Sequence, residues 1–352
     1  MESDMLKFGS SLKVPYVQEL AKEKFESVPP RYTRPDATKI NRVSAKEIPV
    51  IDMQALLNSE ELVNTELEKL DFACKEWGFF QLINHGVSCS LVEKLKSETQ
   101  KFFNLSMDEK MKFGQQPGDV EGYGQAFVLS DEQKLDWADV FAIFTLPTHL
   151  RKPHLLPKLP VPFRETIEEY SLELRNLAVK LLNQMAKALG MKLDDMTVLF
   201  EEGIQSMRMN YYPPCPQPEL VTGLCPHSDG VGLTILLQVN EVEGLQIKKD
   251  GAWIPVMPLP NAFVVNVGDI IEMVTNGIYK SIEHRVTVNM QIERISIAAF
   301  LLAKLDGDIG PAPSLITPTT PANFRRIDMV DYLRKIFARE LDGKSFLDAM
   351  RI

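Results

Sequence analysis

The sequence predicts a mainly β core with flanking helices: a double-stranded β-helix, a jelly roll of cupin type, wrapped by α-helices. Three observations carry that prediction. Residues 204–304 break into short apolar strands separated by Gly, Pro, Asn and Asp, the spacing of sandwiches and jelly rolls. Helix-period patterns flank this region on both sides. His227, Asp229 and His284 fall inside the strand-rich part, where side chains two residues apart share a face.

Taken in order, residues 1–47 read as an N-terminal arm and linker with a helix-forming stretch, VQELAKEKF. Residues 48–203 read as a helical N-terminal region. It holds a strand at 48–52, helices at 61–76 and 88–103, and a loop-rich stretch at 112–160. Ser88 or Ser90 is the expected N-cap of the second helix. The clearest helix spans 163–189, with Pro162 before it and Gly190 ending it. Ile167, Tyr170, Leu174, Leu177, Leu181 and Met185 recur there at three- and four-residue steps, a stripe that packs on a sheet.

Residues 204–304 form the expected catalytic core. Its strands read at Leu233–Val239, Leu245–Lys248, Trp253–Val256, Ala262–Val267, Ile278–Val288 and Ile295–Leu302. Lys249-Asp250-Gly251 reads as a hairpin turn. Residues 305–352 are a helical tail packing on the core, with a helix at Met329–Glu340.

Composition bounds the function. Apolar content of 45% and charged content of 25% fit a soluble globular protein. Lys and Arg number 39 against 48 Asp and Glu; the net charge of −9 disfavours nucleic acid and anionic membranes as partners. No apolar run reaches membrane-span length, and MESDMLKFGSSLKVP lacks a signal-peptide core and an Arg-rich transit pattern. Cys74, Cys89, Cys215 and Cys225 form no CxxC. The expectation is a cytoplasmic monomer with reduced cysteines that acts on a small molecule.

The candidate chemistry begins with a metal. Two His and one carboxylate on one face of a divalent ion leave three positions open, the arrangement of non-haem Fe(II) oxygenases. A closed zinc site would take four protein ligands. Ten residues after His284, Arg294 and Ser296 share a strand face in ERISIAAFLL. A guanidinium in so apolar a run needs a partner, and its planar fork suits a carboxylate. In MRMNYY, Arg208, Asn210 and Tyr212 alternate with Met207, Met209 and Tyr211, giving a strand with one polar face toward the same cavity. Pro213-Pro214 stops that strand. His85, His149, His154 and Asp52 read as structural.

With these residues in place, the chain resembles the plant 2-oxoglutarate- and Fe(II)-dependent dioxygenases. NYYPPCPQP, the HxD pair, the distal His and RxS occur in that family's order; IPVIDM, ACKEWGFFQLINHGV, EGYGQAF and the tail LDGKSFLDAMRI are also similar. Within the family it looks closest to the branch of thebaine and codeine O-demethylases and flavonoid-modifying members. The resemblance implies that His227, Asp229 and His284 bind Fe(II). It implies that Arg294 and Ser296 bind the far carboxylate of 2-oxoglutarate, with a hydrogen bond from Tyr212 and with Asn210 alongside. Arg208, Phe300, Leu302 and Tyr123 are the expected substrate-pocket residues. O2 is the second cosubstrate and ascorbate the reductant. Leu301-Leu302-Ala303-Lys304 and Cys225 depart from the family's usual residues, which bears on the substrate and not on the chemistry.

The implied activity is hydroxylation or O-demethylation of a ring-containing plant specialised metabolite, an alkaloid, flavonoid or relative, with release of succinate and CO2. Alternatives are an oxidase, desaturase or ring-forming enzyme on the same fold, and a jelly-roll protein that binds a small molecule without turnover. A zinc hydrolase using Cys225, His227 and Asp229 is remote.

Overall fold

The computed structural model describes residues 11–23, 27–34, 47–58, 60–125 and 127–352, and the side chains of all of these but 58 and 60–63. The jelly-roll core consists of two sheets. The larger runs in the order β1 (Val50–Asp52), β2 (Phe79–Ile83), β10 (Phe263–Val267), β7 (Leu233–Gln238), β12 (Arg294–Leu301), β5 (Gln205–Tyr212), β4 (Asp139–Leu146) and β3 (Gly122–Gly124). The smaller runs β6 (Leu224–His227), β11 (His284–Val286), β8 (Leu245–Lys249) and β9 (Ala252–Pro255).

Strand alternation explains the layering. Ile295, Ile297, Ala299 and Leu301 of β12 are buried in the main core, which the helix Val161–Leu189 also lines. All six stripe residues of that helix are buried, at about 1.5–3 kcal/mol for each large side chain. The helix closes at Gly190, whose φ of +67° suits a residue without Cβ. The opposite face of β12, carrying Arg294, Ser296, Ala298 and Phe300, turns to the space between the sheets. At the β8–β9 hairpin, Asp250 (φ +52°) and Gly251 (φ +78°) form the two-residue turn.

Several elements differ from expectation. Residues 112–160 contain β4, which pairs with β5 along its length. Nearly every β4 side chain is buried, so the strand shows no alternation in sequence. Ile278–Val288 is strand only at His284–Val286, and the pairing with β6 shifts register within it. A helix, Asp269–Val274, precedes it; all six residues are buried, which removes the amphipathic signal. Ser88 occupies the N-cap position of the helix Cys89–Phe103, but neither Ser88 nor Ser90 caps it with a side chain; their hydroxyls pair at 2.8 Å. Asp52 does cap: its carboxylate accepts from the Ala55 amide at 3.1 Å. In the arm, helix covers Val17–Leu20, and Lys24 and Phe25 of the expected stretch lie outside the described residues.

Candidate active site

β6 and β11 are neighbours, and His227 and His284 are direct cross-strand partners, which sets both rings on one side of the small sheet. Asp229 follows two residues after His227. The ring centroids lie 4.3 Å apart. Asp229 Oδ1 is 3.4 Å from His227 Nε2 and 3.6 Å from His284 Nε2. One ligand atom from each residue lies within 4.8 Å of the others, the single such cluster found among the described residues.

Surrounding atoms fix the tautomers and the carboxylate. His227 Nδ1–H donates to the Cys225 carbonyl at 2.8 Å, and His284 Nδ1–H to the Ile282 carbonyl at 3.2 Å. Both Nε2 atoms therefore face each other as acceptors. Asp229 Oδ2 accepts from Thr234 Oγ at 2.7 Å and Asn266 Nδ2 at 2.8 Å, leaving Oδ1 free to turn inward. Burial opposes ionisation of Asp229, but the two imidazoles and Asn266 overcome it and hold the carboxyl well below its usual range. Burial pushes His284 down to about 4, against the pull of Asp229. Three inward acceptors around one point fit a divalent cation.

The larger sheet supplies the other wall. Arg294 pairs with Tyr212 and Ser296 with Asn210 across β12 and β5. Arg294 is 1% exposed, and its contacts are neutral: Ser296 Oγ at 3.3 Å, Gln238 Oε1 at 3.2 Å and the Tyr212 ring at 5.3 Å. Among the described residues, Arg208 Nε, Asn210 Oδ1 and Arg294 Nε are buried without a hydrogen-bond partner. A buried guanidinium held only by neutral groups calls for an anion. The donor set thus fits a carboxylate as well as a metal.

Two cavities meet here. The inner one runs from His227, Asp229 and His284 to Tyr212, Arg294 and Ser296. The outer one is mainly apolar, with Phe127, Phe144, Leu302, Leu333, Ile336 and Phe337 in its wall. Arg208, His227, Asp229 and Phe300 belong to both.

Residues 203–303 match the 2OG-Fe(II) oxygenase superfamily, and residues 48–159 match the N-terminal region described as non-haem dioxygenase in morphine synthesis. The chain is 61% identical over 345 residues to oxoglutarate-dependent flavonoid 7-O-demethylase 1 of Ocimum basilicum, covering 98% of this chain and 92% of the relative. The chain is a 2OG-Fe(II) oxygenase. It is also 54% identical to codeine O-demethylase of Papaver somniferum over 99% of each chain. A crystal structure of JOX2 in complex with 2OG, Fe and JA superposes with a TM-score of 0.89 at 36% identity, covering 98% of this chain and 99% of that one. The cofactors of this oxygenase are therefore Fe(II) and 2-oxoglutarate.

The outer cavity of this 2OG-Fe(II) oxygenase includes Arg208, Phe300 and Leu302 but not Tyr123. Tyr123 is fully buried, stacks on Tyr16 at 5.0 Å, and donates its hydroxyl to Asp139 at 3.2 Å. It is a core residue because β3 turns that side chain toward the arm, away from the cavity. Cys225 Sγ lies 3.7 Å from the Leu341 carbonyl and is no part of the His227–Asp229–His284 cluster or of either cavity beside it, so the zinc hydrolase lacks its third ligand. Sequence reasoning missed Thr234, Asn266, Gln238 and the C-terminal wall. Asn266 was findable: it is a lone amide in the apolar run FVVNV, the same signal that marked Arg294.

Proposed function

We propose that this oxygenase removes an O-methyl group from a ring-containing small molecule of the flavonoid or alkaloid kind. In this reading His227, Asp229 and His284 hold iron through Nε2, Oδ1 and Nε2. Arg294 and Ser296 hold the far carboxylate of 2-oxoglutarate, with Tyr212 and Asn210 beside them. The carrying observation is the wall that the two cavities share: the inner cavity ends on a buried guanidinium, and the mainly apolar outer one opens onto the same His and Asp. The activities named for the flavonoid and codeine relatives favour a methyl ether.

Bound iron supplies oxygen activation coupled to decarboxylation of 2-oxoglutarate. The chain's own residues bind, orient and exclude water. Arg294 gives the cosubstrate a fixed anchor, so its reactive end faces the His and Asp. Phe300 and Leu302 press the substrate toward that point, and Arg208 offers a donor to a carbonyl or phenolate oxygen of the substrate. Each turnover consumes O2, 2-oxoglutarate and a methyl ether. It releases succinate, CO2 and a hemiacetal that collapses to a hydroxyl compound and formaldehyde. A cytosolic monomer goes with this reading. Among the described residues no helix is long and apolar enough to cross a membrane.

The test is a panel of methoxylated flavonoids and alkaloids with 2-oxoglutarate and iron. Equal succinate and formaldehyde are expected. Succinate with a hydroxylated product and no formaldehyde would refute demethylation, and no substrate-dependent succinate across the panel would refute the flavonoid or alkaloid substrate class.

A further inference from the structure

Glu272 lies on the helix Asp269–Val274, and its side chain is fully buried. It has no place in the inner or the outer cavity. Oε2 accepts from the Ser281 amide at 2.7 Å and from Lys344 Nζ at 2.8 Å. Oε1 accepts from Arg351 Nη2 at 2.8 Å. Lys344 Nζ also donates to the Ser281 carbonyl at 2.6 Å. A buried carboxylate thus anchors two cations from residues 344–351, far along the chain.

The segment it anchors grips the strand that bears His227. Gly343 N–H donates to the Pro226 carbonyl at 3.1 Å, and Ser228 N–H donates to the Gly343 carbonyl at 3.0 Å. Residue 343 therefore adds a parallel bridge to β6, the edge of the small sheet. Three residues beyond His227, Ile336 packs on Gly230: a Cβ there would lie 2.2 Å from Ile336 Cδ1. The turn His227–Gly230 is therefore contacted by two parts of one C-terminal segment. Leu333, Ile336, Phe337, Arg339 and Leu341 of that segment also line the outer cavity.

We infer that Glu272 is a positioning residue: through Lys344 and Arg351 it holds the C-terminal segment as a splint across the His227–Gly230 turn. The splint keeps His227 and Asp229 in their joint orientation. This rests on the proposed role of His227 and Asp229 as metal ligands.

The experiment uses the full chain and cobalt(II) alone as probe, titrated by its visible absorption. Wild type, Lys344→Met, Lys344→Arg and Arg351→Met are compared, with thermal unfolding of each metal-free protein alongside. Loss of a group that orients metal ligands weakens metal binding by about ten- to a hundredfold. Lys344→Met should fall at the low end of that range, with faster hydrogen exchange at the Ser228 and Gly343 amides. Lys344→Arg should restore both, because it keeps the charge at Glu272. Arg351→Met, which frees the other carboxylate oxygen, should weaken binding in the same direction. Cobalt affinity equal to wild type in both Met variants overturns the proposal while leaving the metal site standing. No cobalt uptake by wild type overturns the metal assignment itself. Failure of both Met variants to fold also overturns the proposal, since Glu272 would then serve the fold and not the turn.

Discussion

Arg294→Lys tests the cosubstrate end of the site most directly. Arg294 is buried among neutral partners and keeps one orphaned N–H. Its charge costs the cosubstrate-free protein stability, because burial disfavours it and its contacts with Ser296, Gln238 and Tyr212 bring no carboxylate to offset that cost. A bound carboxylate recovers the loss through two parallel charge-assisted bonds. Lysine keeps the charge but offers a point in place of a fork. Removing one such bond costs about 1.5–3 kcal/mol, on the order of ten- to a hundredfold in the KM for 2-oxoglutarate. Ser296→Ala should cost less, since a neutral hydroxyl bond is worth about 0.5–1.5 kcal/mol. Arg294→Met should show opposite signs in two assays: cosubstrate affinity collapses while the metal-free protein unfolds at the same or a higher temperature. Steady-state kinetics over a 2-oxoglutarate series, with thermal unfolding in parallel, reads all three. An unchanged KM in Arg294→Lys would refute the reasoning.

Further expectations follow from the same geometry. His227→Ala, Asp229→Ala and His284→Ala should each abolish turnover and metal retention while the far-ultraviolet spectrum stays native; full iron content with normal activity in any of them would remove that residue from the set. Asn266→Ala leaves Asp229 Oδ2 with one donor, Thr234, and should weaken iron binding about ten- to a hundredfold by metal titration. Phe300→Ala and Leu302→Ala should loosen the coupling of succinate to product, whereas Leu301→Ala, whose side chain lies in the main core, should cost about 2–5 kcal/mol of stability and leave coupling intact in a product-ratio assay. In the metal-free protein, His284 binds its proton less readily folded (about 4) than unfolded (6.5). The unfolded chain therefore holds more protons in that window, and stability should drop as pH falls from 6.5 to 4. Denaturant midpoints of wild type and His284→Gln across that range check this; equal slopes would show that another group sets the acid limb.

Much of the site was legible because its chemistry sits on strands. In β12, alternation alone separates Arg294, Ser296 and Phe300 from the core residues between them. The spacing of His227 and Asp229 carries the same information. What failed was legibility of elements buried on every side. β4 and the helix Asp269–Val274 present no exposed face, the helix burying even its carboxylates Asp269 and Glu272, so neither reads as half apolar and half solvated. Tyr123 misled for a related reason: an aromatic in a mixed segment marks a core and a pocket equally. The donors to Asp229 come from β7 and β10 of the larger sheet, which meet the ligands of the smaller sheet only because the two sheets face each other, something local pattern does not encode.

The shared wall between the cavities divides labour along the chain. The inner cavity is built almost wholly from strand residues tied into the two sheets. The outer cavity borrows part of its lining from Val120, Glu121 and Phe127 and from residues 333–341, which lie outside the strands that carry Arg294, His227 and His284. Selection can therefore rewrite much of the outer lining while the residues common to both cavities stay fixed. A lineage that keeps the small sheet, β12 and the Ile336–Gly230 contact untouched is free to exchange Phe127 or Phe337 and to explore new substrates with the oxidative machinery already in working order.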